Sequence, residues 1–198
     1  NAEIKVLVTG GTGFVGSALV RHLLAANYEV RILAHVQKNK FLLTGLDVEV
    51  VDGDIIHPNA VEKAVKGCSV VFNLASIYTF YPFWDRGAKA IYKINVQGTR
   101  NMLDASLRNG VKRFIHTSTI ATISKNSNGK LSNEFTEFDP QGASHYARSK
   151  YLAEQEVLKF CDQGLPAVIL NPGIVIGERD FKPTPSGEVI VKFLNRSY

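Results

Sequence analysis

A doubly wound α/β fold, one parallel sheet with helices on both faces, is what this sequence predicts, and three observations predict it. Short β-branched runs alternate with amphipathic stretches along the chain. Several of those runs are apolar almost throughout, as strands are when helices cover both sides of a parallel sheet. Between the first run and the first amphipathic stretch stands Thr9-Gly-Gly-Thr-Gly-Phe-Val-Gly16, with glycines at 10, 13 and 16.

Taken in order, the strands are Ile4–Val8, Glu29–Leu33, Val48–Val51, Val70–Leu74, Arg113–Thr117 and Ala167–Leu170. Ile4–Val8 runs straight into the glycine turn, which reads as a strand and not as a signal peptide. The helices are Phe14–Ala26, Asn59–Val65, Ala88–Arg108 and Ser144–Cys161. Each crossover is long enough to hold a helix, which parallel neighbours require. After Leu170 the alternation breaks at Asn171-Pro-Gly173, and Lys182-Pro-Thr-Pro-Ser-Gly187 is turn-rich ahead of a last apolar segment, Val189–Leu194. No internal repeat or flexible linker interrupts the pattern.

With 198 residues, 45% hydrophobic and 21% charged, the chain suits one full α/β domain with a short remainder. The net charge of +5 is mild. Lys38 with Lys40, and Lys112 with Arg113, read as solvated faces, and no basic stripe interleaved with aromatics points to nucleic acid. Cys68 and Cys161 have no metal or redox spacing, so two reduced, largely buried thiols and no metal site are expected. No apolar run approaches the roughly 18 residues of a membrane span. A cytoplasmic protein is the default, with a homodimer left open.

The three glycines have separate physical tasks. Gly10 allows a tight turn, Gly13 lets the backbone approach a pyrophosphate, and Gly16 lets the helix pack against the strand. Backbone N–H groups at the helix start then face the anion, aided by the helix dipole. The candidate cofactor contacts here are Gly10, Thr12, Gly13, Phe14 and Val15. A site selective for NAD places an acid about 20 residues on, at the end of the second strand. This strand ends Arg31-Ile-Leu-Ala-His35 without one. His35, Lys38 and Lys40 suit a 2′-phosphate instead, so NADP is favoured and NAD stays possible; the plain alternative for His35 is a strand end in solvent. Asp54 after the third strand suits an adenine amino group, with Ile55 packing on the ring. A purely local turn role for Asp54 is the alternative.

Tyr146 and Lys150 are four apart, neighbours on one helix face. Free tyrosine has a pKa of about 10, too high for an efficient base at neutral pH. A nearby ammonium and a cationic nicotinamide ring both favour the phenolate. Upstream, Arg113-Phe-Ile-His-Thr-Ser-Thr119 ends a strand in hydroxyls, at the edge where open α/β sheets bind ligands. The aromatics of Tyr78–Trp84 suit a pocket wall and a core equally.

In order and spacing, Thr9–Gly16, Asp54-Ile55, Asn73-Leu-Ala-Ser76, Asn95-Val-Gln-Gly-Thr99, Thr117-Ser-Thr119, Tyr146–Lys150 and Asn171-Pro-Gly173 resemble the extended short-chain dehydrogenase/reductase family of Rossmann-type folds, within the NAD-dependent epimerase/dehydratase superfamily. The likeness is greatest to its dihydroflavonol reductase-like branch, which includes bacterial proteins described as hopanoid-associated sugar epimerases. Gly177-Glu-Arg-Asp180 and the segment from Lys182 to Gly187 support that branch. The resemblance implies that Tyr146 is the acid/base and that Lys150 lowers its pKa and holds the nicotinamide ribose. It implies a substrate-positioning hydroxyl at Thr119, with Ser118 beside it. Many relatives carry serine where this chain has Thr119, so the choice between Ser118 and Thr119 stays open. Ala75 and Ser76 would line the cofactor, and Pro172 and Gly173 would lie by the nicotinamide. Relatives have a C-terminal lobe over the substrate. Residues 1–172 are accordingly expected to be the NAD(P)-binding domain and 173–198 the start of an incomplete substrate lobe, so that this chain binds cofactor better than it turns over substrate.

Two motifs of relatives are missing: the Asp-Glu pair of sugar-nucleotide dehydratases, replaced after Thr119 by Ile-Ala-Thr, and the Val-Tyr-Gly of sugar 4-epimerases. The leading expectation is therefore an NADP-dependent carbonyl reductase or alcohol dehydrogenase acting on a small molecule. An NAD-dependent epimerase of a nucleotide sugar stands second, and a non-catalytic NAD(P)-binding sensor or scaffold third.

Overall fold

Six parallel strands form one sheet: β1 (Lys5–Thr9), β2 (Glu29–Ala34), β3 (Glu49–Asp52), β4 (Val70–Asn73), β5 (Arg113–Thr117) and β6 (Ala167–Leu170), in the spatial order β3-β2-β1-β4-β5-β6. The structure is a computed structural model and describes residues 4–34, 40–78, 85–124, 131–181 and 183–195. His35, Lys38, residues 79–84 and Lys182 lie outside the described residues. The helices are α1 (Phe14–Ala25), α2 (Pro58–Val65), α3 (Asp85–Tyr92), α4 (Thr99–Arg108), α5 (His145–Asp162) and α6 (Pro185–Leu194). All six expected strands and the doubly wound architecture are present, with boundaries shifted by a residue or so.

Side-chain parity divides the core in two. Val6 and Val8 of β1, with Val30 and Ile32 of β2, pack against Val20 and Leu23 of α1. The opposite parity, Leu7, Val71 and Phe114, packs under α2, α4 and α5 through Val61, Met102, Leu103 and Val157. β6 departs from the expectation of strands covered on both sides. It is an edge strand, and among the described residues Val168 and Leu170 are 40% and 49% exposed.

The segment expected as one helix, Ala88–Arg108, begins earlier, at Asp85, and is not uniform. A six-residue π-helical turn, Lys93–Gly98, joins α3 to α4 without a break in direction. Such widened turns add a residue to the helix and are enriched at functional sites. Here it swings Asn95 inward, where Asn95 is 1% exposed. Ser144, expected as the first residue of α5, is its N-cap: its Oγ accepts from Ala147 N–H at 3.1 Å. The last apolar segment is helical, and Thr184 caps α6 by accepting from Gly187 N–H at 3.2 Å. Cys68 is buried and Cys161 only partly so; both are free thiols.

Candidate active site

The chain leaves β1 and turns at Gly10, whose φ of +70° favours glycine. A Cβ there would stand 2.9 Å from Ala75 N, so the turn lies directly on the end of β4. Gly13 N–H donates to Gly10 O at 2.9 Å, and Gly13 then stands as the N-cap of α1 with no side chain capping it. Gly16 is required by close approach, as expected, but its neighbour is the turn itself: a Cβ would collide with Gly10 O. β1 and β4 are adjacent while the chain passes from β1 outward to β2 and β3, so this turn sits where the strand order reverses.

Against the turn lies a cleft of about 420 Å³. Gly10, Thr12 and Gly13 of the turn line it, as do Ala34, Asp54 and Ile55 from the ends of β2 and β3. Leu74, Ala75, Ser76 and Ile77, which follow β4, line it too. Asp54 has the local role weighed above, since its Oδ1 accepts from Ile56 N–H at 3.1 Å; it also lines the cleft. Asp52, the register partner of Ala34 on β3, is not part of the lining. Phe14 and Val15 follow on α1, with Phe14 against Gly177. Thr119, Tyr146, Lys150, Pro172 and Gly173 lie outside that lining.

The hydroxyl-rich end of β5 and helix α5 meet beside it. Thr119 Oγ1 accepts from Ala121 N–H at 3.2 Å, which leaves its proton free to donate. The hydroxyl of Thr119 bonds the Tyr146 oxygen and draws the phenol down, but burial is the larger effect and holds Tyr146 above its ordinary range. The expected lowering by Lys150 is thus not the balance found in the protein alone. Tyr78 packs edge-on against the Tyr146 ring at 4.7 Å between centroids. Ser118 is oriented differently: it is 4% exposed and its Oγ has no partner among the described residues. Pro172 O accepts from Ile120 N–H at 3.0 Å, placing Asn171-Pro-Gly173 beside the Thr119 turn.

Lys150 is 2% exposed, and its Nζ donates to Thr117 O at 2.6 Å. Burial lowers its pKa to about 8, with Glu154 opposing. Glu154 has a second task. Its Oε1 accepts from Thr122 Oγ1 and from Asn171 Nδ2, both at 2.8 Å, and each of these donors also reaches Thr119 O.

Among residues that the sequence reading gave no task are Glu154, Asn95 and His116. Asn95 accepts from Ile77 N–H and Ser76 Oγ while its Nδ2 donates to Ile77 O and Ser149 Oγ, filling its hydrogen-bonding capacity. Polar residues at otherwise apolar helix and strand positions were the available signal.

A model of the NAD dependent epimerase/dehydratase family matches residues 6–198. The chain belongs to that family. A Synechocystis sp. protein bearing a dihydroflavonol 4-reductase name is 40% identical over 192 residues, covering 96% of this chain and 54% of the relative. Two solved family structures are similar in fold. The UDP-glucose 4-epimerase of Thermotoga maritima with UDP-glucose has a TM-score of 0.83 at 26% identity, covering 95% of this chain and 61% of that one. The UDP-glucose 4-epimerase of Thermus thermophilus in complex with NAD has a TM-score of 0.80 at 27% identity, with the same two coverages of 95% and 61%. This epimerase/dehydratase family member spans about half the length of the curated relatives it matches. Among its described residues, no helix is long and apolar enough to cross a membrane.

Proposed function

We propose that this chain carries the cofactor-binding and proton-transfer part of an NADP-dependent oxidoreductase that interconverts a carbonyl and an alcohol. Residues 1–172 form the dinucleotide domain and 173–198 belong to a substrate lobe. The observation that carries the reading is the meeting of Thr119, Tyr146 and Lys150 at the carboxyl edge of the sheet, beside the cleft at the strand-order reversal. The exposed Ile174, Ile176, Phe181, Val189 and Phe193 support assigning the last segment to a lobe that contacts more than this domain.

The residues present fit a dinucleotide. The uncapped start of α1, the bare backbone at Gly13 and the close approach of Gly10 to Ala75 make a cradle for a pyrophosphate. Thr12, Phe14 and Val15 complete that cradle, Asp54 and Ile55 take the adenine, and Ala75, Ser76, Pro172 and Gly173 flank the path to the nicotinamide. Ala34 in place of an acid supports NADP over NAD, and His35 and Lys38 are assigned to its 2′-phosphate. The dinucleotide supplies or accepts the hydride when bound.

The protein's own part is the proton. Tyr146 passes it between its phenolic oxygen and the oxygen of the substrate, while the Thr119 hydroxyl donates to the same site. Burial disfavours the phenolate, so the charge of Lys150 is what makes Tyr146 usable as a base. Ser118, buried and unpartnered, supports that strand end without touching substrate.

The structural likeness to UDP-glucose 4-epimerases favours a second reading, an epimerase of a nucleotide sugar that oxidises and re-reduces its substrate on NAD without net consumption. Calorimetric titration with NADPH and then NADH separates the two. Micromolar binding with NADPH tighter is the expected result. Tighter NADH favours the epimerase, and binding of neither by folded protein overturns the dinucleotide reading.

A further inference from the structure

Thr9, Asn73 and His116 stand abreast on three adjacent strands, Thr9 paired with Asn73 and Asn73 with His116 in the sheet register. They share the parity of the apolar row Leu7, Val71 and Phe114, two residues nearer the carboxyl edge. The core therefore gives way, at one level, to a buried polar row. All three are 1% exposed or less. The row ends at Lys150, whose Nζ lies 3.5 Å from His116 Nε2.

The direction of every hydrogen bond in this row is fixed from its far end. Thr9 Oγ1 accepts from Leu74 N–H and Ala75 N–H, each at 3.1 Å. Both lone pairs are then used, so the hydroxyl proton goes to Asn73 Oδ1 at 2.8 Å. Asn73 must turn its amide hydrogens the other way, toward Thr99 Oγ1 and His116 Nδ1, both at 3.2 Å. His116 Nδ1 is an acceptor, and a neutral imidazole accepting there carries its proton on Nε2.

We propose that His116 is a positioning residue for Lys150: a neutral imidazole, its tautomer set by Thr9 through Asn73, that presents Nε2–H to the lysine nitrogen and favours the amine over the ammonium. The other titratable groups around Lys150 are Tyr146 and Glu154 on its own helix; Thr99 and Asn95, from α4 and the π-helical turn, are uncharged. Burial and the lysine keep His116 well below its ordinary pKa, consistent with a neutral ring. The row starts at the residue before Gly10, so the geometry of the phosphate turn and the charge of the lysine are joined by four side chains. The inference sets a limit on the role given to Lys150 above, because an Nε2–H facing the lysine restricts the pH range over which the ammonium that serves Tyr146 persists; it rests on that role for its functional meaning, but not for its test.

Nuclear magnetic resonance of the isotopically labelled chain, without cofactor or substrate, tests it. Imidazole nitrogen shifts of His116 should report the Nε2–H tautomer at neutral pH. The Lys150 side chain should titrate near 8. In His116→Phe that titration should move up by about half to one pH unit, the worth of one hydrogen bond. His116→Gln, which returns an N–H near the Nε2 position, should move it back. A proton on Nδ1, or an unmoved Lys150 in a folded His116→Phe, overturns the proposal. Where His116→Phe fails to fold, the wild-type tautomer decides alone. Failure of NADPH to bind would sink the oxidoreductase reading and leave these shifts as they are.

Discussion

Asn95 Nδ2 donates to Ser149 Oγ at 2.9 Å, and Ser149 Oγ donates in turn to the backbone carbonyl oxygen of Tyr146 at 2.7 Å. The bond joins the π-helical turn between α3 and α4 to the helix that bears Tyr146 and Lys150. The other bonds of Asn95 hold Ile77 and Ser76, the cleft wall after β4. One buried amide thus fixes the distance between the cleft and the acid–base pair. Asn95→Ala leaves several partners unpaired and is expected to destabilise the fold by about 2–4 kcal/mol. Chemical denaturation measures it; a loss below about 1 kcal/mol would mean that α5 is held by apolar packing alone.

Gly16 and Gly13 differ in what a methyl group would meet. At Gly16 it would strike the carbonyl oxygen of Gly10, which is backbone and has no rotamer to escape into; at Gly13 it would stand 3.2 Å from the same atom. Gly16→Ala should therefore cost about 2–3 kcal/mol or more and Gly13→Ala under about 1 kcal/mol. Comparable melting temperatures for the two variants would contradict this.

Lys150 gives a pH dependence of defined sign. Its folded pKa of about 8 lies below the ordinary 10.5, so between those values the unfolded chain holds the proton and the folded chain does not. Stability due to this residue is constant below about 8 and rises with pH up to about 10.5. Relative to Lys150→Met, the wild type should gain stability across that window. Parallel pH profiles of the two proteins would show that Lys150 keeps an ordinary pKa in the fold.

Tyr146→Phe removes the phenolic oxygen and almost no volume. Turnover should vanish while cofactor affinity stays within a few-fold. A tenfold loss of affinity in calorimetry would contradict the proton-transfer role, because it would make Tyr146 a binding residue.

Ala34→Asp places a carboxylate at the end of β2, in the cleft wall. It should repel a 2′-phosphate and accept from a 2′-hydroxyl, moving preference from NADPH toward NADH by about tenfold or more. Unchanged preference would put the adenosine end elsewhere.

Whatever depends on neighbours along the chain is legible in the amino-acid order. Strand runs, the glycine turn between Thr9 and Gly16, and the spacing of Tyr146 and Lys150 on one helix face are set within a few residues, where backbone sterics and helical periodicity act. The family followed from the same local motifs taken in order. Which polar side chains meet depends on how the strands and helices assemble. Thr9 and Asn73 are 64 positions apart, Asn73 and His116 are 43, and His116 and Lys150 are 34. Those contacts arise from strand order and register, which no short spacing encodes. The widened turn at Lys93–Gly98 and the inward set of Asn95 are likewise products of packing: a regular helix satisfies the same backbone, and only the partners of Asn95 in the segment after β4 and on α5 make the extra residue worth its distortion. The raised phenol of Tyr146 has the same origin, because desolvation belongs to the assembled site and not to the sequence around it.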